Sequence, residues 1–99
     1  MRYYFDWDPN KAKINLRKHG VSFEQSSTIF LDARMISVFD TEHSEHEELW
    51  ATIGIDKNGN LLVVVHTFQQ LDADSCRIRI ISARKATRKE LKQYREENK

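Results

Sequence analysis

Ninety-nine residues, 39% apolar and 31% charged, describe one small soluble globular domain with no room for two separate cores. The longest apolar run, residues 61–65, cannot span a membrane, the start lacks a charged-then-apolar leader pattern, and a single cysteine, Cys76, excludes an internal disulfide framework. The formal net charge of +1 hides a strong asymmetry: residues 1–20 carry +3, residues 21–76 carry −8 and residues 77–99 carry +6. The ends of a small domain often lie close together. Two basic ends can then form one surface for a polyanion, nucleic acid foremost. The expectation is a cytoplasmic protein without a cofactor.

Residues 2–7 are aromatic-rich and read as an opening strand. Asp8 and Pro9 supply the N-cap and first position of a helix that Gly20 ends. In it Ala12 and Leu16 have core spacing, while Lys11, Asn15 and Lys18 line a polar stripe. Ser22 caps a second helix, with Gln25 at the capping-box position, and Phe23, Ile29 and Phe30 provide its apolar surface up to about Asp32. A short strand over residues 35–39 leads into an acidic connection, residues 40–48.

Strands over residues 49–55 and 61–68 flank Asp56-Lys57-Asn58-Gly59-Asn60. A three-residue loop, a type I turn with Gly59 in the left-handed bulge position, places Asp56 opposite Asn60. Ile55 then meets Leu61, Ile53 meets Val63 and Ala51 meets Val65 on an all-apolar face. Gly54, Thr52 and Trp50 meet Leu62, Val64 and His66 on the other. A two-residue turn would mix the faces. Residues 69–76 read as a polar loop.

The stretch from Arg77 to Glu90 organises the chain. Arginine and isoleucine alternate, so Arg77 and Arg79 share one face of a strand and Ile78 and Ile80 the other. Thr87, with Glu90 three residues on, caps a helix to about Glu96. Leu91 and Tyr94 are its core side, with the Tyr94 hydroxyl at the surface, and Arg88, Lys92, Arg95 and Lys99 form a basic stripe. The order predicts an α+β domain: strand, helix, helix, a four-strand antiparallel sheet and a C-terminal helix. Helices cover one sheet face, and Trp50, His66, Arg77 and Arg79 point to the open one.

Metal-free RNA cleavage needs a proton-transfer group within a patch of cations, since the ribose 2′-hydroxyl itself attacks the adjacent phosphate. His66 with Arg77 and Arg79 meets that requirement if they share a face, and Trp50 could stack a base. The alternatives are a histidine satisfied at the sheet edge and arginines paired to Glu47 or Glu48. His19, at the end of the first helix, is either a packing residue or part of the site. Lys18 is a surface cation, and Arg84, Lys85 and Arg88 gather at the start of the last helix, where an anion, or Glu90 alone, would offset them. His43 and His46 lie in the acidic connection without helical zinc-site spacing, so no metal site is expected. Ser44 beside His43 is no triad, because triad members meet in space. A lone Cys76 is expected to be inert.

Arg77-Ile78-Arg79-Ile80-Ile81-Ser82-Ala83-Arg84-Lys85-Ala86-Thr87-Arg88-Lys89-Glu90 resembles the C-terminal signature of the BrnT toxins. Phe5-Asp6-Trp7-Asp8, residues 15–24, Thr52-Ile53-Gly54 and residues 62–66 agree with it in the right order. The resemblance implies a small RelE-like α+β domain. It also implies a ribonuclease that stops translation and that is neutralised by a BrnA-like ribbon-helix-helix antitoxin, with operator DNA bound only through the toxin–antitoxin complex. Lys18, His19, His66, Arg77, Arg79, Arg84 and Arg88 are among the matching positions, and the resemblance assigns them no individual roles. Where the family often has Glu-Glu-Arg-Trp, this chain has Glu47-Glu48-Leu49-Trp50, and strand parity puts Leu49 on the core side. A non-catalytic component that binds nucleic acid or the antitoxin is the competing expectation.

Overall fold

A computed structural model describes residues 1–42 and 44–98; His43 and Lys99 lie outside the described residues. The strands are β1 (Arg2–Asp6), β2 (Ile36–Phe39), β3 (Trp50–Ile55), β4 (Leu61–His66), β5 (Gln69–Asp72) and β6 (Ser75–Lys85). The helices are α1 (Pro9–His19), α2 (Phe23–Ser27), which runs on into a 3₁₀ turn at Thr28–Leu31, and α3 (Arg88–Glu97). All six strands join one sheet in the order β1-β6-β4-β3-β2, with β5 pairing β6 off that path.

The caps form as their residue types require. Asp8 accepts from the Asn10 N–H, Ser22 from the Gln25 N–H, and Thr87 and Glu90 complete a reciprocal capping box. The Gln25 side chain does not reach back to its own cap; it donates to the Asp56 carboxylate at 2.6 Å. The β3–β4 hairpin has the three-residue loop, with Gly59 at φ 86° and every expected pair from Ile55–Leu61 to Trp50–His66. Asp56 binds this turn together, accepting from the N–H groups of Asn58 and Asn60 at 2.9 and 2.8 Å. Burial works against its charge, but the hydrogen bonds from Gln25, Asn60 and Asn58 hold its carboxyl below the ordinary value.

Two expectations about the sheet need correction. The polar loop over residues 69–76 is strand: β5 pairs with β6, and Ser75 and Cys76 are buried within β6. All four β5 residues are exposed, so no apolar alternation marked them. The four strands expected to pair antiparallel, β2, β3, β4 and β6, do so, and β1 joins them parallel to β6 from Arg2–Ser75 to Asp6–Arg79. Finally, the covered and open faces of the hairpin are exchanged. The main core lies on the face carrying Thr52, Leu62, Val64 and Ile80, under Val21, Phe23, Ile29 and Phe30. Gly54 is the physical reason: a Cβ there would stand 3.1 Å from the Ile29 Cβ and 3.2 Å from the Ile29 carbonyl oxygen. The 3₁₀ turn comes down on this face because residue 54 has no side chain. The opposite face holds a smaller cluster of Ile53, Val63 and Tyr94, built with α3.

Asn15 is also corrected. It is buried, whereas Leu16 is 51% exposed. Its side-chain amide donates to the Ala83 and Val21 carbonyls, both at 2.9 Å, and its Oδ1 accepts from the Ala83 N–H at 3.0 Å. β1 ends opposite Arg79, so Asn15 takes over the free edge of β6 and fastens α1 to it. Tyr94 is buried as expected, but its hydroxyl donates to Asp32 at 2.6 Å instead of meeting water. Burial and that bond push its pKa up to about 12.

Replacing Asn15 with Leu leaves buried backbone groups of Ala83 and Val21 without partners. The expected loss is about 3 kcal/mol of unfolding free energy, read from the urea midpoint; an unchanged midpoint would show that the clamp contributes nothing.

Candidate active site

The open face of the sheet carries a groove of about 660 Å³. Its floor is Ala51, Ile53, Val63, Val65 and Ser82; Lys18, His19 and Arg84 stand on one side, and residues 38–42 on the other. Each basic group arrives by a different local device. Lys18 and His19 come from the last turn of α1, stopped by Gly20, whose N–H bonds the Leu16 carbonyl at 2.8 Å. The Asn15 clamp sets that helix end against β6. Arg84 comes from β6 itself, opposite Val63.

Glu90 holds Arg84 with two bonds, 2.7 and 2.9 Å from its carboxylate oxygens to the guanidinium nitrogens. The Arg84 guanidinium is the largest cause that brings the Glu90 pKa down to about 2, and the capping bond from the Thr87 N–H adds to it. Glu90 therefore both caps α3 and orients Arg84 toward the groove.

A bulge between Val65 and His66 inserts Ile81 into β6, so the Arg77 and Arg79 positions stay on the groove's side of the sheet. Both are exposed. Arg79 lies 3.7 Å from Asp6, and Arg77 donates to Gln69 at 3.5 Å. Neither contact involves Glu47 or Glu48. The Arg79–Asp6 pair is half-exposed on both sides, and such pairs hold their partners weakly.

His66 does not join this surface. It is 3% exposed, on the opposite side of the sheet, edge-on to Phe30 with ring centroids 5.0 Å apart. Nδ1 faces the Thr67 carbonyl at 2.8 Å and must carry the proton, which leaves Nε2 to accept from the Thr52 hydroxyl at 2.6 Å. Thr52 in turn lies 2.7 Å from the Ser37 hydroxyl. Burial pushes the imidazole pKa down, so the ring is neutral with both nitrogens occupied. The expected sharing of one face by His66, Arg77 and Arg79 is thus overturned: across the bulge His66 pairs with Ile80, which puts it on the isoleucine side of β6 and the arginines on the other. Trp50 lies on the His66 side and meets Phe39 edge-on at 5.5 Å.

Arg88 is exposed at the first position of α3 and does not line the groove. Leu49 is buried, although with the faces exchanged its parity places it on the Ala51 and Ile53 side and not over the main core. Cys76 is buried, and burial raises its thiol pKa, which suppresses reactivity. Among the described residues no three His, Cys, Asp or Glu side chains cluster as a metal site, and no helix is long and apolar enough to cross a membrane. Sequence reasoning missed Asn15 and Ser82. The signal for Asn15 was present: Ala12, Asn15 and His19 recur at i, i+3 and i+7, one helical face.

Residues 7–90 match the family model described as ribonuclease toxin, BrnT, of type II toxin-antitoxin system. The chain belongs to the BrnT family. Its biochemical class is therefore endoribonuclease, with RNA as substrate and an antitoxin as partner. Among solved structures, the crystal structure of the Brucella abortus ribonuclease toxin BrnT is similar in fold. The TM-score is 0.57, at 19% sequence identity over 89% of this chain and 100% of that one. A search of curated proteins gave no match.

The Arg84–Glu90 pair makes this BrnT chain sensitive to acid in a defined direction. The folded Glu90 pKa lies below its ordinary 4.5, at about 2, so its contribution is complete above pH 4.5 and lost as pH falls through about 2. Thermal unfolding followed from pH 5 to pH 2 should show a shallower decline for Glu90→Gln than for the wild type; parallel curves would remove Glu90 from the acid response.

Proposed function

We propose that this chain cleaves RNA without a metal ion, on the groove face, with His19 transferring the proton and Lys18, Arg77 and Arg79 holding phosphate. The observation that carries this is the convergence of Lys18, His19 and Arg84 on one groove, on the sheet face that also bears Arg77 and Arg79. The chemistry needs no external nucleophile. The 2′-hydroxyl oxygen bonds to the adjacent phosphorus, the bond to the 5′-oxygen breaks, and a 2′,3′-cyclic phosphate forms. His19 accepts the 2′ proton and delivers it to the departing 5′-oxygen, which leaves as a hydroxyl. Lys18 and the arginines meet the charge that builds on the phosphoryl oxygens. Arg84, gripped by Glu90, acts as a fixed positive charge beside them. Asp6 gives up Arg79 easily, since their contact is long and solvated.

In this reading His66 positions the strands rather than touching the substrate. Trp50, across the sheet from the groove, does not stack the scissile base, and Arg88 makes at most a peripheral backbone contact. The antitoxin is a BrnA-like ribbon-helix-helix protein, operator DNA is bound only through the complex, and RNA cleavage stops translation. These three points rest on the family resemblance.

The test is an RNA cleavage assay in EDTA with defined end-group analysis. Wild type should yield fragments with cyclic or 3′-phosphate ends. His19→Ala should lose roughly 10²–10⁴-fold and Arg79→Ala roughly 10²-fold, both with unchanged unfolding midpoints. His66→Asn should lower stability yet keep the activity of its folded fraction. Full activity in His19→Ala together with inactive, folded His66→Asn would return the catalytic role to His66.

A further inference from the structure

Among the described residues β2 is the outermost strand on its side of the sheet, bonded to β3 alone. The Asp40 N–H bonds the Leu49 carbonyl at 2.8 Å, which continues the β2–β3 ladder one pair further. Antiparallel pairs alternate between bonded and non-bonded. Pairs 40–49, 38–51 and 36–53 are therefore the bonded ones, and the backbone groups of Ser37 and Phe39 point outward. Nothing among the described residues meets them.

Native edge strands are usually blunted by lysine, proline or a bulge. β2 reads Ile-Ser-Val-Phe and has none of these. Val38 and Phe39 are 45% and 42% exposed, one on each side of the sheet. Phe39 continues into Trp50 and the exposed Phe68, which borders a small hollow of about 230 Å³ with Ser37 and Trp50. The strand then runs straight into residues 40–48, with five acidic residues and no lysine or arginine.

We infer that the antitoxin docks here by adding an extended segment to the free edge of β2. That segment carries apolar or aromatic residues at alternate positions, to meet Phe39 and Trp50, and lysine or arginine where it passes residues 40–48. Backbone bonds to Ser37 and Phe39 give affinity, and the acidic flank selects a basic partner over a second copy of this chain, whose own flank would repel it. Val38, Asp40 and Glu42 also form the far wall of the basic groove, so the added strand lies along its lip and narrows RNA access. The inference rests on the family's antitoxin partnership and not on which histidine transfers the proton.

Residue-resolved amide hydrogen exchange on the free chain, and on its complex with the co-expressed cognate antitoxin, tests this. The Ser37 and Phe39 amides should exchange fast in the free chain and become protected at least tenfold in the complex. The Val38 amide, already bonded to β3, should change little. Ser37→Pro removes an outward N–H without touching the β3 ladder and should weaken the complex about tenfold or more, while Ser37→Ala binds like wild type. Both variants should still cleave RNA, so a failed cleavage reading is distinguishable from a failed docking one. Protection confined to α1, α3 or the groove floor would overturn the inference. So would protection of Ser37 and Phe39 in the free chain that grows with its concentration, since the occupant would then be a second copy.

Discussion

The Asn15 side chain holds this molecule's geometry together. β6 is the longest strand, and its free edge is paired by β1 only as far as Arg79. Beyond that point an ordinary helix would leave the Ala83 N–H and carbonyl buried without partners, at about 1–3 kcal/mol each. One amide satisfies both and reaches the Val21 carbonyl as well. The same contact fixes the end of α1 beside β6, one turn before Lys18 and His19. A structural requirement of the sheet edge thereby sets the position of two basic groups against a third, Arg84, that β6 supplies directly.

The two faces of the sheet carry different duties. One is packed dry, with Gly54 admitting the 3₁₀ turn and a neutral His66 linked through Thr52 to Ser37. The other is closed only where α3 docks, through Tyr94 and the capping box. The uncovered part keeps an apolar floor between a basic side and an acidic one. Clustering of cations there has a cost in mutual repulsion, which Glu90 and Asp6 offset in part. Bound polyanion would offset the rest, a coupling expected of a surface built for RNA.

Much of the fold was legible because local chemistry decides it. The caps at Asp8, Ser22 and Thr87, the stop at Gly20 and the hairpin register through Gly59 each follow from one or two residue types. The faces were not legible by the same means. Both sides of β3 and β4 are largely apolar, so alternation gives the register but not which side receives the helices; Thr52 and Gly54 looked like a solvent face because they are small and polar. Gly54 in mid-strand was the available clue to close approach. β5 escaped notice because an exposed edge strand has no apolar period. The basic residues themselves, from Lys18 to Arg84, were identifiable from charge and family pattern, but their grouping required the sheet faces to be assigned.

The surface proposed to receive RNA is the groove face. The most direct measurement is an NMR titration with a short 2′-O-methyl RNA, which presents phosphates and bases yet cannot supply the attacking hydroxyl. Salt-dependent shifts are expected at Lys18, His19, Ser82, Arg84 and the Arg77–Arg79 segment, with Trp50, His66 and Phe68 left in place. Shifts confined to Trp50, His66 and Phe68 would contradict it and move the substrate to the opposite side of the sheet.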